Sequence, residues 1–277
     1  MRRLVSFVFA FLFSITAIFS APSVSMCAQK PTNETPVYAT LPWITSMARF
    51  IVGSTIKIEP LTAWNGTGTL KNLHRVPNNA AVIALDPLDA KRHGLSAGRA
   101  GLYFLYENLP LPPEKRNSLQ FDASALPFLS QRLLMVISGL KPENYAFYQR
   151  RLAEFQSHVE STLEVGKSQI QDMNILDLSG AASPWVRAAA PGAVRPPEYL
   201  WAAWTKGERL RELSLAVSEA SQRRWWVVTD AWTPRDIMAA AENAPQKIYI
   251  EPPTGDQDFF VYLHGIYLQM WNSLVKR

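Results

Sequence analysis

The stretch from Lys141 to Lys167 constrains this chain more than any other. Its apolar residues Tyr145, Tyr148, Leu152, Phe155, Val159 and Leu163 follow at spacings of 3, 4, 3, 4 and 4, which places all six on one face of an α-helix. The opposite face carries Glu143, Arg150, Arg151, Glu154, Gln156 and Glu160. Pro142 suits the first turn, where its missing N–H costs nothing, and Gly166 suits a C-cap. From Pro142 to Val165 the helix would run roughly 36 Å at about 1.5 Å per residue. That is the length of a domain, so the helix can brace two of them.

Sheet-forming segments lie on both sides of this strut. On the amino side, Val37–Leu41 reads as a strand, Trp43–Phe50 as a helix and Ile56–Leu61 as a second strand, the spacing of a β–α–β unit in a parallel sheet. Ala81–Leu85 is continuous and apolar, as a buried parallel strand is. Gly101–Leu109 reads as strand-like, Pro110, Pro112 and Pro113 as a stiff loop, and Pro127–Leu140 as a helix. On the carboxyl side, strands are predicted at Ile175–Leu178, Trp225–Thr229 and Ile248–Ile250. Helices are predicted at Pro184–Ala190, Lys206–Arg223, Thr233–Glu242 and Phe259–Lys276, the third with Thr233 as N-cap and Pro234 in its first turn. The expected fold is α/β, with lobes at 36–138 and 168–277 and a linking helix at 139–167. Each lobe has a parallel-type sheet.

Residues 1–28 read as an export signal: Arg2 and Arg3, an apolar run from Leu4 to Ala21, then small residues to Ala28. Val24–Cys27 also resembles a lipobox, which makes lipidation at Cys27 the minority reading. Cleavage removes two arginines and lowers the formal charge from +5 to +3. The remaining basic residues are scattered, so nucleic acid is not an expected partner. Cys27 is the only cysteine, which excludes an internal disulfide framework and a thiolate zinc cluster.

The order of elements resembles the periplasmic solute-binding proteins of zinc and manganese ABC transporters, the ZnuA type, over about residues 36–276. Val37–Pro42 looks like that family's first strand, and Ile51–Ile58 like its "IGGDRVEV" segment. Pro142–Tyr148 is similar to "PENAAYY" at the start of its backbone helix, and Val227–Asp230 followed by Pro234 resembles "FTEPQFSP". Tyr262, Leu263, Met270 and Asn272 look like its closing helix. The resemblance implies a periplasmic protein that captures a metal ion or small solute between two lobes. Such a protein is a monomer, is not an enzyme, and delivers its ligand to an inner-membrane permease. Zn²⁺ or Mn²⁺ is the implied cargo.

The metal site departs from the family pattern. The family holds its ion with three histidines and one carboxylate, a sound shell for Zn²⁺. The matching positions here are Trp64 or Asn65, Ser124, and Gly180 or Ala181, with Glu251 at the carboxylate position and Asp122 as an added acid. The expected ligand-binding set is therefore Glu251, Asp122, Ser124, Trp64 and Asn65, with Glu251 alone as a weak metal ligand at its family position. One carboxylate with neutral oxygens suits hard ions better than zinc.

Two other readings stand beside this one. The first is an exported interaction protein on the same fold that has lost solute binding. The second is a serine hydrolase, because Gly94–Gly98 fits G-x-S-x-G and Asp230 and His264 follow downstream. The segment before Gly94 is too polar for the buried strand that a nucleophile elbow needs. The histidines His74, His93, His158 and His264 form no helical pair, although His74 could join Asp86 or Asp89 at a new metal site. Trp43, Trp64, Trp185 and Trp232 fall just after predicted strands or at helix starts, where α/β sheets bind ligands; they suit either a cleft lining or lobe packing.

Overall fold

The computed structural model describes residues 35–107, 118–255 and 257–275. The export signal, Cys27, the end of the Gly101–Leu109 segment and the proline loop after it lie outside the described residues.

Short apolar runs give short parallel strands. β1 (Val37–Ala39), β2 (Ile58–Pro60), β5 (Val82–Ala84) and β6 (Leu102–Phe104) form a parallel sheet in the order β2-β1-β5-β6. The chain leaves β1 to one side for β2 and returns on the other side as β5, so the sheet has its topological switch between β1 and β5. β5 is buried along its whole length, as its unbroken apolar sequence requires. β7 (Ile175–Asp177), β8 (Trp226–Asp230) and β9 (Lys247–Ile250) form a second parallel sheet in sequence order. The fold is α/β, with two parallel sheets held on one long helix.

That helix is α4 (Tyr145–Ile170), entered through a 3₁₀ turn at Pro142–Asn144. It packs against α1 (Pro42–Val52) and α3 (Leu126–Leu140) from the amino half, and against α5 (Ser183–Ala189) and α9 (Phe259–Val275) from the carboxyl half. Tyr148, Leu152, Phe155 and Val159 are buried in a core common to both halves, whereas Tyr145 is exposed. Phe155 stacks on Phe259 at 6.0 Å and meets Phe260 at 5.0 Å.

Gly166 is not the expected C-cap, because α4 continues four residues beyond it to Ile170. A Cβ at Gly166 would lie 2.3 Å from the Tyr267 ring, so the glycine serves the close approach of α9. Thr233 does not cap α8 (Arg235–Ala241) with its side chain. Its Oγ1 instead donates to the Leu178 carbonyl at 3.0 Å and accepts the Asp230 N–H at 2.9 Å, closing the turn after β8. The helix expected over Lys206–Arg223 is α7 (Leu210–Gln222), preceded by a separate α6 (Glu198–Thr205). Arg209, left-handed at φ 54°, stands at the start of α7.

Three strands gave no signal in the sequence. β3 (Thr62–Asn65), β4 (Leu70–Asn72) and β10 (Thr254–Gly255) form an antiparallel sheet, with Thr254 opposite Asn65 and Gly255 opposite Trp64. β4 is exposed throughout, so it has no apolar alternation to read. This sheet ties the carboxyl half to the amino half beside the switch point.

Candidate ligand-binding site

The switch between β1 and β5 opens a crevice at their carboxyl ends, the position where open α/β sheets bind ligands. Thr40 follows β1, and its hydroxyl donates to Asp89 Oδ2 at 2.5 Å. The Leu85 N–H reaches the same oxygen at 3.0 Å. Asp86 follows β5 and caps α2 (Pro87–Arg92), its Oδ1 accepting the Asp89 N–H at 2.8 Å. Both carboxylates are almost fully buried. Burial pushes the Asp89 carboxyl up, against the downward pull of Thr40, the Leu85 N–H and His93. His93 ends α2 with its Nε2 3.9 Å from Asp89 Oδ1, too far for a hydrogen bond. Burial pushes the imidazole down despite the nearby acid.

Above this floor lies a cavity of about 350 Å³ walled by Trp43, Trp64, Trp232, Leu41, Leu85 and Leu88. Trp232 comes from the carboxyl half, just after β8. Its Nε1 donates to the Gly68 carbonyl at 2.8 Å, and its ring meets Trp64 edge-on at 5.7 Å. Gly68 has φ +77°, and a Cβ there would sit 3.0 Å from the Ala231 Cβ, so only glycine lets this loop lie against the carboxyl half. Asn72, Arg92 and His93 also line a second cavity of about 690 Å³, which therefore adjoins the first. Its wall includes His74, Arg75 and Arg99 and, among the described residues, no acidic one.

The expected site residues are dispersed. Trp64 lines the tryptophan cavity. Asn65 is exposed, and its Oδ1 accepts the Thr67 N–H at 3.0 Å and the Thr67 hydroxyl at 2.8 Å, closing its own turn. Asp122 Oδ1 accepts from the Ser124 N–H at 2.9 Å and the Ser124 hydroxyl at 2.6 Å. Asp122 lines a third cavity, of about 540 Å³, with Arg187 and Arg195. Glu251 is exposed, and its backbone carbonyl accepts the Tyr262 hydroxyl at 2.9 Å. The Phe121 ring lies 5.3 Å from Trp232 and 5.9 Å from Tyr262. A space of about 20 Å³ remains among Trp43, Trp64, Phe121, Phe259 and Tyr262, room for about one water.

At Gly180 and Ala181 the backbone itself is committed. The N–H groups of Gly180, Ala181 and Ala182 donate to the Asp230 carboxylate at 2.8–2.9 Å. The Trp232 N–H and the Thr233 hydroxyl each add a contact at 3.0 Å. A Cβ at Gly180 would lie 2.3 Å from the Trp232 carbonyl oxygen, so no side chain fits at Gly180, one of the two positions matched to a family histidine. Among the described residues, no three His, Cys, Asp or Glu are grouped to hold a metal ion. The donor set present does not fit a three-histidine zinc shell.

The remaining candidates separate cleanly. His74 lines the second cavity while Asp86 and Asp89 line the first; His74 and His93 share the second. His158 packs its ring 5.5 Å from Phe50 and 5.3 Å from Phe260, and His264 is exposed on α9. Gly94–Gly98 follows helix α2 rather than a strand, so it lacks the geometry of a nucleophile elbow, and Asp230 is consumed by backbone amides. Trp185 belongs to the core, stacked on Tyr267 at 5.5 Å with its Nε1 donating to the Leu263 carbonyl. Thr40 and Arg99 were not singled out in the sequence. A threonine directly after a strand and an arginine in a polar loop carry no periodic signal.

No protein-family model and no curated protein sequence matches the chain. Solved structures do. The fold is that of ZnuA, whose crystal structure matches at TM-score 0.63 with 14% identity, covering 87% of this chain and 99% of that one. The laminin-binding protein Lmb of Streptococcus agalactiae, described as bifunctional with adhesin and metal-transporting activity, matches at TM-score 0.63 with 12% identity, over 87% of this chain and 100% of Lmb. The Cd-bound periplasmic metal-binding protein from candidatus Liberibacter asiaticus matches at TM-score 0.61 with 9% identity, over 87% and 100%.

Proposed function

We propose that this chain is an exported, periplasmic solute-binding protein of the metal-type ABC transporter class, a non-enzymatic monomer that captures a ligand between its halves and presents it to an inner-membrane permease. One observation carries the reading: ZnuA-type binding proteins match over almost their whole length, strut helix included. The cavity lined from both halves, with Trp232 reaching across to Trp64, supports it. Residues 1–28 supply the export signal, and the lobes are taken as 36–138 and 168–277. Glu251, Asp122, Ser124, Trp64 and Asn65 are the proposed contacts for a metal ligand at the family positions, and of these Trp64 also lines the tryptophan cavity.

Zinc is expected to bind orders of magnitude more weakly than at a three-histidine site, because Asn65 and Ser124 offer only neutral oxygens. Any residual affinity is assigned to Glu251. Calorimetry on chelator-treated protein tests this: Glu251→Ala should abolish the remainder, and tight one-to-one zinc binding that survives it would place the ligands elsewhere. The solute-binding reading itself is tested by native mass spectrometry of protein purified from the periplasm, which should show a stoichiometric adduct. A bare chain that also fails to co-purify with any permease would favour the second reading, an exported interaction protein on the same fold. The aromatic filling among Phe121, Tyr262 and Trp64 supports that alternative, and the adhesin activity of Lmb gives it a precedent.

A further inference from the structure

The two adjoining cavities at the switch point differ in lining: indoles, leucines and two carboxylates in the first, arginines and histidines in the second. The first is a pocket of three indoles and four leucines, including Leu70 at its rim. Its volume of about 350 Å³ lies in the range of small-molecule sites. The two carboxylates on its floor are engaged by the protein itself. Asp86 holds the start of α2, and Asp89 accepts from Thr40 and Leu85. They favour neutral apolar material above them and disfavour an anion there.

Across Asn72, Arg92 and His93, the second cavity reverses that preference. Arg75, Arg92 and Arg99 face it with His74 and His93, and among the described residues no carboxylate lines it. Arg99 is fixed by backbone carbonyls alone: its Nη2 donates to those of Pro77 at 2.6 Å, Asn78 at 3.1 Å and Ala80 at 3.1 Å. Neutral carbonyls position the guanidinium without cancelling its charge. Its Nη1 is buried with no hydrogen-bond partner among the described residues. His93 stands at the junction with no hydrogen bond to Asp89, and an imidazole N–H there can donate to one ligand oxygen.

We propose that the two cavities form one site for an amphipathic organic anion, with its aromatic or apolar body among Trp43, Trp64 and Trp232 and its carboxylate, sulfonate or phosphate group facing Arg75, Arg92 and Arg99. The proposal rests on the solute-binding reading and names the ligand class for it. The indole faces and edges suit a flat ring system. Arginine forks suit a planar or tetrahedral oxyanion. A bare metal ion finds no ligand cluster in either cavity, and an organic cation would place its charge beside the arginines.

Two fluorescent probes with one ring system test it on the purified full-length chain: 8-anilinonaphthalene-1-sulfonate, and N-phenyl-1-naphthylamine, which lacks the sulfonate. The sulfonate should bind one-to-one and about tenfold tighter than the neutral amine, the worth of a charge-assisted hydrogen bond. Arg75→Glu should remove that margin and leave the neutral probe unchanged. Leu70→Asp, at an exposed strand position, should weaken both probes. Melting curves of both variants should match the parent. Equal affinity for the two probes, a margin that survives Arg75→Glu, or probe binding indifferent to Leu70→Asp overturns the proposal. A metal or cationic adduct in native mass spectrometry would overturn the ligand class while leaving the solute-binding reading standing. Absence of any adduct together with failure of both probes would remove both.

Discussion

The two parallel sheets end their strands in opposite ways. In the carboxyl half, β7 and β8 each deliver a buried aspartate at the carboxyl edge, and the protein saturates both. Asp177 accepts from the Ser179 N–H at 3.0 Å and from the hydroxyls of Ser179 and Ser183, with Arg195 Nη1 3.6 Å away. Asp230 takes the amides of Gly180, Ala181, Ala182 and Trp232. In the amino half, the same edge carries Asp86 and Asp89, but a cavity remains above them, and His93 beside them lacks a hydrogen bond to the acid. One edge has become an internal scaffold. The other retains the space of a binding site. The comparison teaches that what keeps a strand edge available to a ligand is the room left above it, since the carboxylates at both edges are engaged by the protein itself.

The contrast can be broken by substitution, and the effects should rank. Asp230→Ala should cost most, on the order of 3 kcal/mol or more, because four buried N–H groups lose their acceptor together. For a domain of this size the melting temperature should drop by roughly 10 °C. If Asp230→Ala melts like the parent, the closed edge is not a scaffold. Thr40→Val at the open edge should cost about 1–2 kcal/mol, since Asp89 keeps the Leu85 N–H but loses the hydroxyl. Denaturant titration separates the two, and a Thr40→Val cost as large as that of Asp230→Ala would erase the distinction. Gly68→Ala should cost about 1 kcal/mol through its positive φ and should loosen the Trp232 contact. Tryptophan fluorescence should report that loosening, and an unchanged spectrum would show that the two halves do not depend on this loop.

The smallest effect concerns pH. His93 has its folded pKa pushed down by burial from the ordinary 6.5, so the folded protein binds fewer protons than the unfolded chain just below that pH. Its contribution is complete above about pH 6.5 and is lost as the pH falls through the depressed value. The raised Asp89 has the opposite sign: its stabilisation is present at low pH and is lost as the pH rises through its elevated value. His93→Gln should therefore flatten the decline in stability as the pH falls below about 6.5. An identical pH profile in the variant would mean that the imidazole is not withheld from protonation.

Much of the architecture follows from local sequence. The 3-4 spacing from Tyr145 to Leu163 specifies the strut because only a helix brings Tyr148, Leu152, Phe155 and Val159 onto one buried face. The unbroken runs at Ala81–Leu85 and Trp225–Thr229 specify buried parallel strands for the same reason, and the order of these runs specifies two sheets. Tertiary structure decided what no window of residues could. Gly166 was legible as a helix end, yet it exists for the ring of Tyr267, about a hundred residues away. Gly180 and Ala181 read as lost ligand positions, yet their amides had been claimed by Asp230, fifty residues on. The site depended on the same kind of distant encounter. Trp64 and Trp232 form one wall only because β10 pairs with β3 and Gly68 lets a loop close against Ala231. Periodicity reports which face of an element avoids water, but a binding site is made where elements distant in sequence leave space and polar groups unfilled.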